Sequence, residues 1–169
     1  MNQIYTHPKR KTKVVFVQLG SPTEPTTKAL RKYLRKFLGD PRVVDINPWL
    51  WKIILNFFVL PFRPKKSAKL YARIWDGKSF PLITNTRDFT NNVREELKKI
   101  DPDGHVEVNH AFLLSPPYVN EVYDSWEDDL KKGIGATKLL VIPMFPQYSE
   151  STIASGIDAL AKELSKRVK

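Results

Sequence analysis

At 169 residues the chain can bury about two-thirds of the surface its unfolded form would expose, so one packed core needs no covalent staple. Its 41% hydrophobic and 27% charged residues exclude a disordered or collagen-like chain, and the lack of cysteine excludes disulfides, thiolate metal sites, thiol nucleophiles and iron–sulfur ligation. The net charge of +10 is lopsided: residues 1–80 hold 17 Lys/Arg against 4 Asp/Glu, and residues 81–169 hold 11 against 14, which implies a local anionic partner such as nucleic acid, a lipid surface or a small acidic ligand.

Residues 1–12 are polar and basic, lack the apolar core of a signal peptide, and read as a disordered tail. Residues 13–19 (KVVFVQL) form a buried strand that ends at Gly20-Ser21-Pro22. From 26 to 38, Leu30, Tyr33, Leu34, Phe37 and Leu38 recur at helical spacing, opposite an all-basic face of Lys28, Arg31, Lys32, Arg35 and Lys36. Helices are also expected at about 48–60 and from Lys66 to Trp75, before a turn at Asp76-Gly77. The second half alternates. A helix near 87–100 aligns Phe89, Val93, Leu97 and Ile100, and a strand follows at about 105–113. A helix at about 118–132 aligns Val119, Val122, Tyr123, Trp126 and Leu130, with Gly133-Ile134-Gly135 as its stop and turn. Lys138–Met144 reads as another central strand, and a last helix spans about 151–167 through Ile153, Ile157, Leu160 and Leu164.

Strands alternating with helices predict an α/β three-layer sandwich on a mainly parallel, Rossmann-like sheet, with ligands at the carboxyl ends of the strands. Three strands are few for this length, so the sheet is expected to be completed by sequence outside this chain, which is read as a single domain over 13–169.

Three segments could carry chemistry. Residues 49–60 (WLWKIILNFFVL) hold ten apolar residues in twelve, too short for a bilayer span of about 20 residues. With Trp49 and Trp51 at one end and Arg63, Lys65 and Lys66 beyond the other, the segment suits an interfacial helix or the lip of an apolar pocket; an ordinary buried helix is the alternative. An apolar wall with cations at its rim matches a flat, hydrophobic dicarboxylate. Residues 143–152 (PMFPQYSEST) end a strand and open a helix, where Ser and Thr would either cap the helix or touch a ligand. His110 shares a strand face with Val106, Val108 and Phe112, as a satisfied core histidine would, and no His/Asp/Glu spacing resembles a metal cage.

Four ordered stretches, VVFVQLGSPTEP, YLRKFLGDPRVVDI, LPFRPKKSAKLYARIW and IPMFPQYSESTIAS, together resemble the N-terminal half of ferrochelatase, from about Val14 to Leu160. The resemblance implies one of two similar α/β domains around a porphyrin cleft, a cytoplasmic setting, and Fe2+ as substrate with no cofactor held by this chain. It makes residues 46–62 the hydrophobic lip, which leaves open a peripheral membrane contact through 49–60. By position it places Leu19 toward the metal face of the porphyrin, Arg63 and Lys66 at the cleft mouth, and Tyr71 along the lining. Ser79 falls near the family's Gly-Ser-Pro turn, from which Ser79-Phe80-Pro81 departs, and Gln147, Tyr148 and Ser149 match its strand-end motif. Phe112-Leu113-Leu114 stands where many members have Met-Arg-Tyr, removing a cation and a phenol. The family's catalytic histidine and glutamate lie further along than this chain reaches, so no catalytic residue and no metal ligand is assigned.

The resemblance therefore implies one half of an enzyme that inserts iron into protoporphyrin or coproporphyrin, with porphyrin and the missing C-terminal half as partners and nucleic acid not among them. A non-catalytic porphyrin- or haem-binding module is the alternative. A homodimeric half-length chelatase ranks lower, because Gln18-Leu19-Gly20 lacks the histidine such enzymes carry after the first strand.

Overall fold

Thr12–Gln18 (β1) buries its five central residues because a strand flanks it on each side. The computed structural model describes residues 11–133 and 137–165, apart from the side chains of residues 163 and 164. Most of the expected tail, the Ile134-Gly135 turn, Leu164's side chain and the last turn of the final helix lie outside the described residues.

Val106–Phe112 (β2) and Lys138–Pro143 (β3) run parallel to β1, giving the order β2-β1-β3. Val14 aligns with Val108 and Leu140, and Phe16 with His110 and Ile142. A continuous β-branched run is what the middle strand needs, since neither of its faces meets water. Lys13 is buried too; its stem lies along the sheet while its Nζ reaches 3.3 Å from the in-register Glu107.

Helices cover both faces, as the alternating pattern requires. Val15, Val17 and Ala111 pack against Val119 and Tyr123 of α5 (Val119–Lys131), with Leu160 of α6 (Ser155–Ser165) at the margin. Val14, Phe16 and Val108 meet Val93 and Leu97 of α4 (Pro81–Ile100). The remaining helices lie before α4 in the chain. Thr26 caps α1 (Thr27–Leu38) by accepting from the Ala29 N–H at 3.2 Å, and Leu30 and Tyr33 are buried. Asn47 caps α2 (Pro48–Ile54), which continues as a π-helical turn over Leu55–Val59. The next helix, α3 (Arg63–Tyr71), packs on α1 and ends in a 3₁₀ turn.

Four local readings shift. The helix α4 begins at Pro81 instead of 87, since Pro81 is preset for a first helical turn. Its inner face uses Thr86 and Thr90, whose hydroxyls donate to the Leu82 and Thr86 carbonyls at 2.7 Å and so can be buried, while Phe89 and Ile100 stay exposed. A π-helical turn at Glu150–Ala154 precedes α6, leaving Ile157 exposed. Also, α3 starts three residues early, at Arg63, with Pro64 in its first turn.

The two sheet edges differ. Arg94 Nε donates to the Val108 carbonyl at 2.7 Å, and Asp101 accepts from the Val106 N–H at 2.7 Å, so side chains occupy outward backbone groups of β2. Among the described residues no side chain bonds to the backbone of residues 139–143 in β3, where Leu140 is exposed.

Leu30 is fully buried and Ile100 is 79% exposed. Leu30→Ala should cost about 2–5 kcal/mol in urea denaturation, against about 0.5 kcal/mol or less for Ile100→Ala. Equal shifts in midpoint would refute this core assignment.

Candidate functional site

Parallel pairing brings the carboxyl ends of all three strands to one edge, and the loops that follow are laced together there. The Leu113 and Leu114 N–H groups donate to the carbonyls of Gln18 and Leu19, at 3.1 and 3.0 Å. The Gln18 amide donates to the Met144 carbonyl at 2.8 Å, tying in the segment after β3. Gly20 sits at φ +94°, where a Cβ would come 2.4 Å from Ser115 Oγ. That close approach lets the Ser21 N–H donate to Ser115 Oγ at 3.2 Å. Only glycine combines this backbone angle with this clearance.

A hollow of about 170 Å³ opens beside this loop, rimmed by Ser21, Thr23, Lys78, Ser79 and Ser115, with Trp75 and Phe80 among its walls. Hydroxyls around one ammonium suit a carboxylate or similar anion. Asp76 shapes the rim, accepting from the Lys78 and Ser79 N–H groups, and these bonds hold its carboxyl below the usual range.

An aromatic chain joins this rim to the helices. Phe80 packs against Trp75 at 4.7 Å and Tyr71 at 5.5 Å between ring centroids, and Tyr71 lies 6.3 Å from Tyr33. The Tyr33 hydroxyl donates to the Gly20 carbonyl at 3.5 Å. Burial, and then the neighbouring Tyr71, push the Tyr33 phenol well above its ordinary value, so it stays a neutral donor.

Leu19, Tyr71 and Ser79 are thus linked within one network, through Gly20, Tyr33 and Phe80. Arg63 and Lys66 stand apart. They project from α3 away from the face that buries Pro64 and Ala68 and carries Tyr71; Lys66 is roughly 140° from Tyr71 around the axis. Both are exposed and make no ion pair or side-chain hydrogen bond among the described residues. Beyond β3, Gln147 and Tyr148 are exposed and Ser149 is half-buried. Ser149 starts the π turn with its carbonyl, which receives the Ile153 N–H at 2.9 Å, while its hydroxyl pairs with that of Ser151 at 3.0 Å. No side chain caps that turn.

The apolar segment is tied to α1. No residue of α2 is buried, and Trp49, Phe57, Phe58 and Phe62 are 66–74% exposed, so within this chain the segment presents an uncovered apolar face. Leu55 and Leu60 anchor it, Arg31 Nε donates to the Leu60 carbonyl at 3.2 Å, and the Trp51 indole donates to the Leu38 carbonyl at 2.6 Å. Among the described residues no helix is long and apolar enough to cross a membrane.

Thr23, Lys78, Ser115 and Tyr33 were not singled out as site residues from the sequence. A strand ending in Gly20-Ser21 was a usable signal for its own loop; the roles of Ser115 and Lys78 arise only when distant loops meet. His110 differs from expectation. It is half-buried, its Nδ1 is buried without a partner, and burial with nearby Arg94 and Arg87 lowers its pKa. Among the described residues no group of three or more His, Asp or Glu is placed to hold a metal ion.

A family model described as ferrochelatase matches residues 11–169. The chain belongs to the ferrochelatase family. Among curated ferrochelatases it is 44% identical to that of Idiomarina loihiensis over 154 residues, covering 91% of this chain and 41% of the relative. It is 40% identical to that of Marinobacter nauticus, with 91% and 40% covered, and 40% identical to that of Teredinibacter turnerae, with 98% and 44% covered. The chain therefore spans less than half the length of these ferrochelatases, and the open three-stranded parallel sheet is the chelatase-like, Rossmann-like fold in that portion.

Two expectations follow. Gly77 shares Gly20's φ but has open space around it, so Gly77→Ala carries backbone strain of about 1–2 kcal/mol and Gly20→Ala should lose clearly more. Equal losses in chemical denaturation would dismiss the Ser115 contact as a constraint. Because its folded-state pKa is depressed, the stability tied to neutral His110 is present above its ordinary value of about 6.5 and is lost as pH falls through the depressed value. Urea midpoints should decline on acidification from about pH 6.5 down to the depressed value, and His110→Phe should flatten the decline in that window; an unchanged slope in the variant would remove His110 as its source.

Proposed function

We propose that this chain forms one wall of a ferrochelatase porphyrin cleft and positions the ring for insertion of Fe2+, the metal substrate, in haem synthesis. The observation that carries this reading is the exposed apolar lip followed directly in the chain by two free cations, Arg63 and Lys66, on the outer side of α3. A porphyrin is a flat apolar disc with carboxylates on its rim. Its face gains by burial against Leu19 and the lip, and its carboxylates gain from charge-assisted hydrogen bonds to Arg63 and Lys66. In this reading Ser79 belongs to the strand-edge rim, Tyr71 to the lining behind it against Phe80, and Gln147, Tyr148 and Ser149 border the ring from the segment after β3. These residues hold and orient. No proton or metal step is assigned to them; in the whole enzyme those steps belong to the portion of the relatives that this chain does not span.

The exposed Trp49, Phe57, Phe58 and Phe62, flanked by Arg63, Lys65 and Lys66, support a further element of the reading, a lip resting on a membrane surface. A second reading is a porphyrin-binding module without insertion activity. Leu113 favours it, because at a site where the family resemblance implies a cation this side chain packs into the apolar layer beneath the sheet, 3.6 Å from where a Cβ on Gly156 would sit.

Soret-band titration of the chain with a dicarboxylate porphyrin tests the shared claim. Hydrogen bonds to charged groups contribute about 1.5–3 kcal/mol each, so Arg63→Ala with Lys66→Ala should weaken binding by about tenfold or more. The dimethyl ester of the same porphyrin should bind both proteins alike. Unchanged affinity for the diacid in the double variant would remove the anchors from the reading.

A further inference from the structure

A second cleft, of about 650 Å³, lies between the end of α1, the loop after it and α2. It shares Ile46, Pro48, Trp51, Lys52, Leu55 and Asn56 with the lip, but none of Leu19, Arg63, Lys66, Tyr71, Ser79 and Gln147–Ser149 lines it. Its walls are apolar, formed by Val44, Ile46, Trp51 and Leu55 with the rings of Pro41 and Pro48. Three polar side chains reach it, Arg35, Lys52 and Asn56, and no carboxylate does. Its size falls in the range of about 300–1,000 Å³ usual for small-ligand sites.

The cleft is built, not a gap between loosely placed helices. The Trp51–Leu38 hydrogen bond fixes one wall to α1, and the Asn47 side chain holds the start of α2 by accepting from the Trp49 and Leu50 N–H groups. The Asn56 amide is occupied by the Lys52 carbonyl at 2.7 Å. Arg35 and Lys52, by contrast, are exposed and make no ion pair or side-chain hydrogen bond among the described residues. Lys52 and Asn56 also line a neighbouring hollow of about 520 Å³ with Trp49, Ile53 and Phe57. Lys52 and Asn56 are therefore shared between the cleft and the exposed aromatic face of the lip.

We propose that this cleft takes one acyl chain of an anionic membrane lipid, with Arg35 and Lys52 receiving the phosphate. The inference rests on the membrane contact proposed for the lip and adds a defined ligand site to it. An acyl chain asks nothing of the walls but apolar surface. Two free cations with no acid beside them favour a phosphate carrying net negative charge over a zwitterionic head group, whose ammonium they repel. Lys52, shared by both hollows, sets one cation between the aromatic face that includes Trp49 and Phe57 and the cleft lined by Trp51, so a head group held there lies beside both.

The test uses the full chain with Trp51 as its sole tryptophan, through Trp49→Phe, Trp75→Phe and Trp126→Phe. Monomeric lysophosphatidylglycerol with a brominated chain should quench Trp51 saturably. Arg35→Gln and Lys52→Gln should each weaken that binding about fivefold, the equivalent of one cation near an anionic surface. Brominated lysophosphatidylcholine should bind more weakly by a similar factor, and Val44→Phe, which fills the cleft, should abolish quenching. If the triple substitution unfolds, the difference between the natural chain and Trp51→Phe gives the same reading. Flotation with phosphatidylcholine–phosphatidylglycerol vesicles reports separately on the lip. Flotation without Trp51 quenching would keep the lip contact and overturn the cleft assignment. Saturable, charge-dependent quenching by the monomer without flotation would keep the cleft and overturn the lip contact. Affinity indifferent to head group and to both charge variants, or competitive displacement of the lysolipid by porphyrin, would also overturn the assignment.

Discussion

Everything at the working edge of this chain depends on β1 being hydrogen-bonded in parallel on both sides. Parallel pairing sends the three strands toward the same end, so their following loops must meet. Once they meet, backbone groups that would otherwise need water find each other: Leu113 and Leu114 with Gln18 and Leu19, and Met144 with Val17. The space left between these loops is small, and a glycine at position 20 is the condition for closing it. The site is a consequence of strand direction before it is a consequence of any one side chain.

The positive charge of the N-terminal half resolves into separate tasks along a single helix. On α1, Arg31 holds the end of the lip through the Leu60 carbonyl, Lys36 lies 4.0 Å over the Tyr118 ring, and Arg35 faces the cleft under α2. Arg42, just beyond the helix, pairs with Asp158 while Asp40 receives the Ser155 hydroxyl, so the loop after α1 is tied to α6. A net charge suggests one patch; the side chains instead divide among structural ties, a ring contact and solvent-facing positions.

Much of the fold was legible because its periodicities are strong: the β-branched run of β1, the helical spacing of Leu30, Tyr33 and Phe37, and the Val119, Tyr123 and Trp126 face of α5. The early turns of α4 were not, since Thr86 and Thr90 read as polar although their hydroxyls are satisfied inside the helix. For the site, Gly20-Ser21 announced its own turn, and the family resemblance pointed to Tyr71 and Ser79, which meet through Phe80. Nothing in the linear sequence could show that Tyr71 lies on the packed face of α3 while Arg63 and Lys66 point away from it. Ser115 was hidden because its contact joins loops 94 residues apart, and the cleft behind Trp51 because it depends on how α2 folds back on the end of α1.

The unequal edges of the sheet give the molecule a growth direction. On the β2 side, Arg94 and Asp101 already answer backbone groups that an incoming strand would seek, and displacing them would strip partners from a guanidinium and a carboxylate at once. On the β3 side no side chain stands guard among the described residues, and Leu140 offers apolar surface beside open backbone. Any lengthening of this sheet, by whatever chain supplies the strand, is therefore polarised: it proceeds outward from β3 and is refused at β2.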